Sequence, residues 1–170
     1  MTANTQVPFA LERLGVVMEG DPHNPYEAWG VLNPATARGR DGTLYLYPRV
    51  VAEGNLSRIG IARVVFNGDT PVAVERIGYA LEPAEGYERN ERTAGVEDPR
   101  ITYIAALDRY VMAYAAYGPL GPRVALAISK DALTWERLGV AKFAYAARYH
   151  TDFDLYVNKD AFLFPEPVRD

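Results

Sequence analysis

The sequence predicts an all-β fold, a β-propeller of which the chain carries about two and a half blades. Three observations predict it: a repeat of about 62 residues, strand-forming runs rich in Tyr, Val and Ile inside each repeat, and turn residues between those runs. The repeat is read from echoes in phase with one another. Glu12-Arg13-Leu14-Gly15, Glu75-Arg76-Ile77-Gly78 and Glu136-Arg137-Leu138-Gly139 are spaced by 63 and then 61 residues. Arg58-Ile59-Gly60-Ile61-Ala62 is echoed 65 residues on by Arg123-Val124-Ala125-Leu126-Ala127, and Asn33-Pro34 at the same spacing by Asp98-Pro99.

Taken in order, Leu44 to Val51 and Ile59 to Phe66 read as strands of the first repeat, and Tyr110 to Tyr117 and Val124 to Ile128 as strands of the second. Asp41-Gly42 and Asn67-Gly68-Asp69 are hairpin signals between such runs. Ile104 to Ala116 is rich enough in alanine for a helix. Leu107-Asp108-Arg109 nevertheless looks like a turn, and Tyr110, Met112 and Tyr114 alternate with smaller residues at period two, so strands are expected there. Ala141 to Arg148 is left open between helix and strand. About four strands per unit is the content of a propeller blade. Residues 1–170 are read as one partial domain that cannot close a ring by itself.

Composition narrows the function. The 170 residues are 49% hydrophobic and 24% charged, with a formal net charge of -4 and the two signs interspersed. No basic stripe stands ready for a phosphate backbone, which argues against nucleic acid, and no apolar run is long enough to span a membrane. There is no cysteine, hence no disulfide and no thiolate metal site. His23 and His150 stand far apart in turn-like contexts, so no metal site is expected. Met1 to Ala10 lacks the pattern of a secretory leader, and a cytoplasmic protein is expected.

Equivalent positions on the innermost strand of each blade face one channel, so polar residues in phase converge on one site. Asn33, Asp98 and the Asn158-Lys159-Asp160 segment form such a set. An amide, a carboxylic acid and a cation suit a sugar, whose hydroxyls need oriented hydrogen bonds and whose glycosidic oxygen needs an acid.

Five segments carry a resemblance: Glu27-Ala28-Trp29-Gly30-Val31-Leu32-Asn33-Pro34-Ala35, Leu46-Tyr47-Pro48-Arg49-Val50, Ser57-Arg58-Ile59-Gly60-Ile61-Ala62, Gly95-Val96-Glu97-Asp98-Pro99-Arg100-Ile101-Thr102, and Asn158-Lys159-Asp160-Ala161-Phe162-Leu163-Phe164-Pro165-Glu166. In these the chain resembles glycoside hydrolase family 130, which contains β-mannoside phosphorylases and β-1,2-mannosidases. The likeness covers almost all of this chain and about the first half of a family member. It implies a five-bladed propeller, for which five periods need about 310 residues. It also implies that Asp98 is the general acid, acting through a sugar hydroxyl while inorganic phosphate attacks the anomeric carbon with inversion. Lys159 with Asn158 would form one edge of the phosphate pocket, and Asn33, Arg49, Arg58, Glu97 and Tyr114 would line the mannose subsite. The partners implied are a β-mannoside oligosaccharide and phosphate as co-substrate, with no cofactor; a homo-oligomer is left open. A hydrolase of the same family and a non-catalytic sugar-binding fragment are the alternatives, and the 170-residue chain alone is expected to be inactive.

Plainer readings stand beside these. Asp98-Pro99 on its own is a turn initiator. Arg100 is weighed evenly between pairing with a carboxylate such as Glu97 and touching ligand, Arg49 and Arg58 could be solvated surface cations, and Lys159 could be an exposed turn. Trp29 and Trp135 are expected in the core or between blades, with sugar stacking by Trp29 the minor reading. Ser129-Lys130-Asp131 with Thr134-Trp135 is expected to brace a hairpin.

Overall fold

Alternating apolar runs cut by Gly, Asn and Asp turns fold into eight strands in a computed structural model, which describes residues 10, 12–90 and 93–168. The first repeat is β1 (Gly30–Arg38), β2 (Leu44–Ala52), β3 (Leu56–Asn67) and β4 (Thr70–Leu81). The second is β5 (Ala94–Ile104), β6 (Arg109–Gly118), β7 (Gly121–Ser129) and β8 (Glu136–Val140). Each repeat is an antiparallel meander of four strands. They join where β3 meets β5 in a short parallel contact, Leu56 opposite Ala94 and Ser57 opposite Gly95. Gly95 has φ +135, and a Cβ there would stand 2.3 Å from the Ser57 carbonyl oxygen, so this junction requires glycine.

The four strands expected from sequence lie within β2, β3, β6 and β7, and both hairpin signals fall between strands as expected. The alanine-rich run from Ile104 is strand as expected, interrupted by a 3-10 turn at Ala105–Leu107 that ends on left-handed Asp108. Its alanines suit a strand buried on both faces, as β6 is. Ala141 to Arg148, left open before, forms neither α-helix nor named strand; Ala147–Tyr149 is a single 3-10 turn. The N-terminal stretch read as free of a leader lies, up to residue 9, outside the described residues.

The core lies between the two meanders. Tyr45 and Tyr47 of β2 with Ile59 and Ile61 of β3 share it with Tyr110, Met112, Tyr114 and Ala116 of β6. These sets are spaced by two, so each comes from one face of its strand. Two buried hydroxyls tie the repeats together: Tyr47 donates to the carbonyl of Ala132, and Tyr110 donates to the carbonyl of Arg38 at 2.8 Å. Trp135 packs edge-on against Tyr47, with ring centroids 5.8 Å apart, as its expected core role requires. Trp29 departs from expectation. It is 59% exposed, in the turn ahead of β1, where its backbone amide donates to the carbonyl of Val51.

Ser129 and Asp131 brace the hairpin between β7 and β8. The Ser129 hydroxyl accepts from the amide of Ala132, and the Asp131 carboxylate from those of Leu133 and Thr134. The protein is all-β, and its sheet is not closed among the described residues. Two repeats are present, so the count of five stays an implication of the resemblance. No helix among the described residues is long and apolar enough to cross a membrane.

Candidate active site

Proline dictates the shape of the site. Pro34 in β1 and Pro99 in β5 have no amide hydrogen to give to a sheet ladder, and both strands slip register there, between Leu32 and Ala35 and between Glu97 and Arg100. The residue before each proline takes the left-handed conformation, Asn33 at φ +44 and Asp98 at φ +48. Asn and Asp tolerate that region better than other residues with a Cβ. A bulge re-aims its side chain out of the strict alternation of a strand. Both side chains here turn toward each other, and the Asn33 amide donates to Asp98 Oδ1 at 2.8 Å. The 65-residue echo is thus a direct contact between the first strands of the two repeats.

Asp98 is only 5% exposed and its two oxygens differ. Oδ1 takes the Asn33 hydrogen bond and lies 3.4 Å from Arg49 Nη1. Oδ2 faces Lys159 Nζ at the looser distance of 3.7 Å, and the lysine side chain is 46% exposed. Arg49 comes from β2, opposite Leu32. Its Nη2 donates to Glu97 Oε1 at 2.8 Å and to Asn55 Oδ1 at 3.0 Å, while Nε donates to the Ser57 hydroxyl at 2.9 Å. The guanidinium is therefore fixed from four sides.

The two neighbouring carboxyls titrate in opposite directions. Burial pushes Asp98 up, but the Asn33 hydrogen bond and the charges of Arg49 and Lys159 outweigh it and hold the carboxyl below the usual range. Burial also pushes Glu97 up, the adjacent Asp98 adds to it, and Arg49, Lys159 and Ser57 do not fully offset them. The pair thus contains one firmly ionised carboxylate and one of higher proton affinity.

Of the residues expected at the site, Asn33, Arg49, Glu97, Asp98 and Lys159 come together. Arg100 sits beside them but binds the backbone: its Nη1 donates to the carbonyls of Asp98 at 3.2 Å and Pro99 at 3.0 Å, and Nη2 lies 3.8 Å from Asp160 rather than on Glu97. Asn158 is anchored through its backbone amide on the carbonyl of Pro122.

Two expectations are corrected. Arg58 pairs opposite Val50, one residue out of step with Arg49, so it projects from the other face of the sheet, where it binds Glu82 at 3.0 Å and lies 3.8 Å over the Tyr26 ring. Tyr114 belongs to β6, the second strand of its repeat, not the first; its side chain points into the core and donates to Glu88 Oε1 at 2.7 Å. Neither is brought to Asp98.

Sequence reasoning missed Ser57 and Asn55, which hold Arg49. No repeat echo marks either; only the position of Ser57 within the Ser57-Arg58-Ile59 segment pointed there. It also missed two buried ion pairs, Glu27 with Arg76 and Glu88 with Arg137. These had a signal. Tyr26-Glu27 and Tyr87-Glu88 are 61 residues apart, the spacing that also separates Arg76 from Arg137.

The chain is similar in sequence and fold to known proteins. A family model described as beta-1,4-mannooligosaccharide phosphorylase, of the glycoside hydrolase 130 group, matches residues 6–170. A 1,2-beta-oligomannan phosphorylase from a Thermoanaerobacter species is 32% identical over an aligned span of 110 residues, with 56% of this chain and 32% of that protein covered. A candidate glycoside hydrolase from Parabacteroides distasonis is similar in structure with a TM-score of 0.62 at 28% identity, over 84% of this chain and 44% of that one. A further structure, from the family of mannoside phosphorylases said to contain hydrolases targeting β-1,2 mannosidic linkages in Candida mannan, has a TM-score of 0.56 at 24% identity, over 88% and 48% of the two chains, and shows the fold alone. The chain spans about a third of the curated relative and less than half of each of these structures.

Proposed function

The chain belongs to glycoside hydrolase family 130, and from that premise we propose that it supplies the acid-bearing part of a phosphorylase of β-linked mannosides. The observation that carries the reading is Asp98, a buried carboxylate at a bulge, held on one oxygen by Asn33 and Arg49 and facing Lys159 with the other. In the proposed reaction the Asp98 proton passes, through a sugar hydroxyl, to the glycosidic oxygen as its bond to the anomeric carbon breaks. Phosphate forms the new bond to that carbon from the opposite face and leaves as mannose 1-phosphate. A single enzymic acid suffices, since phosphate is already an anion and needs no carboxylate base to activate it.

Phosphate instead needs a cation to hold it near two carboxyls, and in this reading Lys159, half-exposed and 3.7 Å from Asp98 Oδ2, supplies it. The same step accounts for how an ionised Asp98 becomes an acid. An anion beside Lys159 offsets the charge that holds Asp98 ionised, so proton affinity at Oδ2 rises as the co-substrate binds. The wall of the site is completed, in this reading, by further blades of a five-bladed ring, and phosphate is the co-substrate with no other group required.

The test is to incubate the full-length protein with β-mannobiose, with and without inorganic phosphate. Mannose 1-phosphate formed only with phosphate is the expected result; sugar release at equal rate without phosphate makes the protein a hydrolase. Asp98→Asn is expected to lower turnover by about 10² to 10⁴, the usual contribution of a positioned general acid. Full activity in that variant removes Asp98 from the acid role.

A further inference from the structure

Lys159 lies in a part of the chain that no sheet ladder holds. Residues 157–164 belong to no named strand or helix, and the lysine side chain is 46% exposed. A lysine is a point charge on a flexible stem, so the seat of its backbone decides which groups it reaches. Whatever anchors the chain on either side of Lys159 therefore sets how the ammonium faces Asp98.

Ahead of Lys159 the anchor is the start of β7, at the tight turn that joins β6 to it. Gly121 turns there at φ +79, and a Cβ on it would stand 2.9 Å from Val157 Cγ1, so the absent side chain leaves room for the valine. The carbonyl of Pro122 accepts from the amide of Asn158 at 3.1 Å. Arg123 Nη1 donates to that same carbonyl at 3.2 Å and to the carbonyl of Tyr156 at 3.0 Å. One guanidinium nitrogen thus bridges the two backbones. Beyond Lys159 the anchor is β5, where the Thr102 hydroxyl donates to the carbonyl of Leu163 at 2.8 Å. Between the anchors, Arg100 Nη2 and Asp160 Oδ1 stand 3.8 Å apart, and a half-exposed pair at that separation adds little. A charged donor makes a hydrogen bond roughly twice as strong as a neutral one, which ranks Arg123 above the Asn158 amide and the Thr102 hydroxyl.

We propose that Arg123 is a positioning residue for phosphate: it fixes the segment that carries Lys159 and so holds the ammonium toward Asp98 Oδ2, without itself touching the co-substrate. The inference rests on the reading of Lys159 as the cation that holds phosphate. The indirect role follows from where the guanidinium is spent, since among the described residues its hydrogen bonds go to backbone carbonyls of the turn and of the segment.

Steady-state kinetics of the full-length protein, with inorganic phosphate and β-mannobiose varied in turn, test this. Arg123→Met keeps the apolar stem and removes the donors. It is expected to raise KM for phosphate roughly tenfold, the value of one charge-assisted hydrogen bond, and to leave KM for β-mannobiose within about twofold. Thr102→Val deletes the hydroxyl at the other anchor and keeps its branched shape. It is expected to move the phosphate constant in the same direction by less, and it carries the comparison if Arg123→Met does not fold. The route through Lys159 is read in a double variant: in a Lys159→Ala background, Arg123→Met is expected to add less than about a further twofold. A full tenfold there overturns the proposal, because Arg123 then acts on phosphate without the lysine. An equal rise in both constants overturns it as well, for that is the mark of a structural role alone. Lys159→Ala by itself separates this inference from the reading beneath it. If that variant raises KM for phosphate while Arg123→Met and Thr102→Val leave it unchanged, the positioning role alone falls; if Lys159→Ala leaves it unchanged, both fall.

Discussion

Asp98 owes its character to the residues at its two ends, Pro99 behind and Asn33 in front. Pro99 removes a ladder hydrogen bond and lets the strand bulge, and the bulge swings the carboxylate onto the Asn33 amide. That amide stabilises the ionised form alone, so its removal has a predictable sign. Asn33→Gly keeps a residue at ease at φ +44 while deleting the donor. The Asp98 carboxyl is then expected to titrate at higher pH, and the alkaline limb of the rate profile, where the acid loses its proton, moves up with it. Below that limb, where Asp98 starts protonated and gains charge only as it gives up its proton, the lost hydrogen bond to a charged group is worth about 1.5 kcal/mol, so turnover there is expected to fall by up to roughly tenfold. If Lys159 is where phosphate acts on Asp98, a second profile follows. The alkaline limb of kcat/KM for the mannoside is expected to lie higher at saturating than at trace phosphate. A limb fixed at one pH under both conditions separates Lys159 from the acid.

At the scale of elements, the two meanders meet at one tight point, and the site depends on it. Gly95 lies against the backbone of Ser57, whose side chain holds Arg49, and Gly95 is two residues from Glu97. In Gly95→Ala the new methyl would overlap the Ser57 carbonyl at 2.3 Å in a backbone conformation that alanine resists. A loss of about 3 kcal/mol or more in unfolding free energy is expected, measurable by urea titration. Gly86→Ala is the control, for nothing lies within 4 Å of its added Cβ and it should change stability by less than about 0.5 kcal/mol. The sequence made these elements legible unevenly. Hairpin turns such as Asp41-Gly42 and the Tyr and Val runs of β2 and β6 have strong local signatures. Arg58 and Tyr114 were misplaced because the face a side chain takes depends on register and on which strand carries it: Arg58 stands one residue out of step with Arg49, and Tyr114 lies on the second strand of its repeat. The Asn33–Asp98 contact was legible because a repeat carries register across sequence distance. Ser57 and Asn55 were not, because their role is to hold a side chain from β2, and such a pairing leaves no trace in spacing.

At the scale of the whole molecule, the buried Glu27–Arg76 and Glu88–Arg137 pairs link the approach to each first strand with the outer strand of the same repeat, spanning each meander. The repeat itself was readable, yet the partners of its arginines were missed, since the glutamates lie outside the Glu-Arg-X-Gly run and are marked only by the 61-residue echo of Tyr26-Glu27 in Tyr87-Glu88. These pairs set how the fold responds to acid. Burial pushes Glu88 up, but Arg137, the amides of Ala84 and Glu85, and the Tyr114 hydroxyl outweigh it and leave the carboxyl below its ordinary value of 4.5. Glu27 is lowered in the same manner, burial being outweighed by Arg76, the Asp21 amide and Asn24. A carboxyl whose folded-state value is depressed contributes stability that is complete above its unfolded value and is lost as pH falls through the folded one. Glu88→Gln removes this proton-linked part and leaves Arg137 without its charge partner. At about pH 7 the variant is expected to be less stable by roughly 3 kcal/mol, the cost of breaking a buried ion pair. As pH falls below 4.5 the parent protein progressively loses the Glu88 contribution and the variant has none to lose, so the gap between their urea midpoints is expected to narrow as the solution is made more acidic. A gap of the same size throughout would mean that Glu88 acts through its hydrogen bonds and shape, with its charge contributing nothing to the fold.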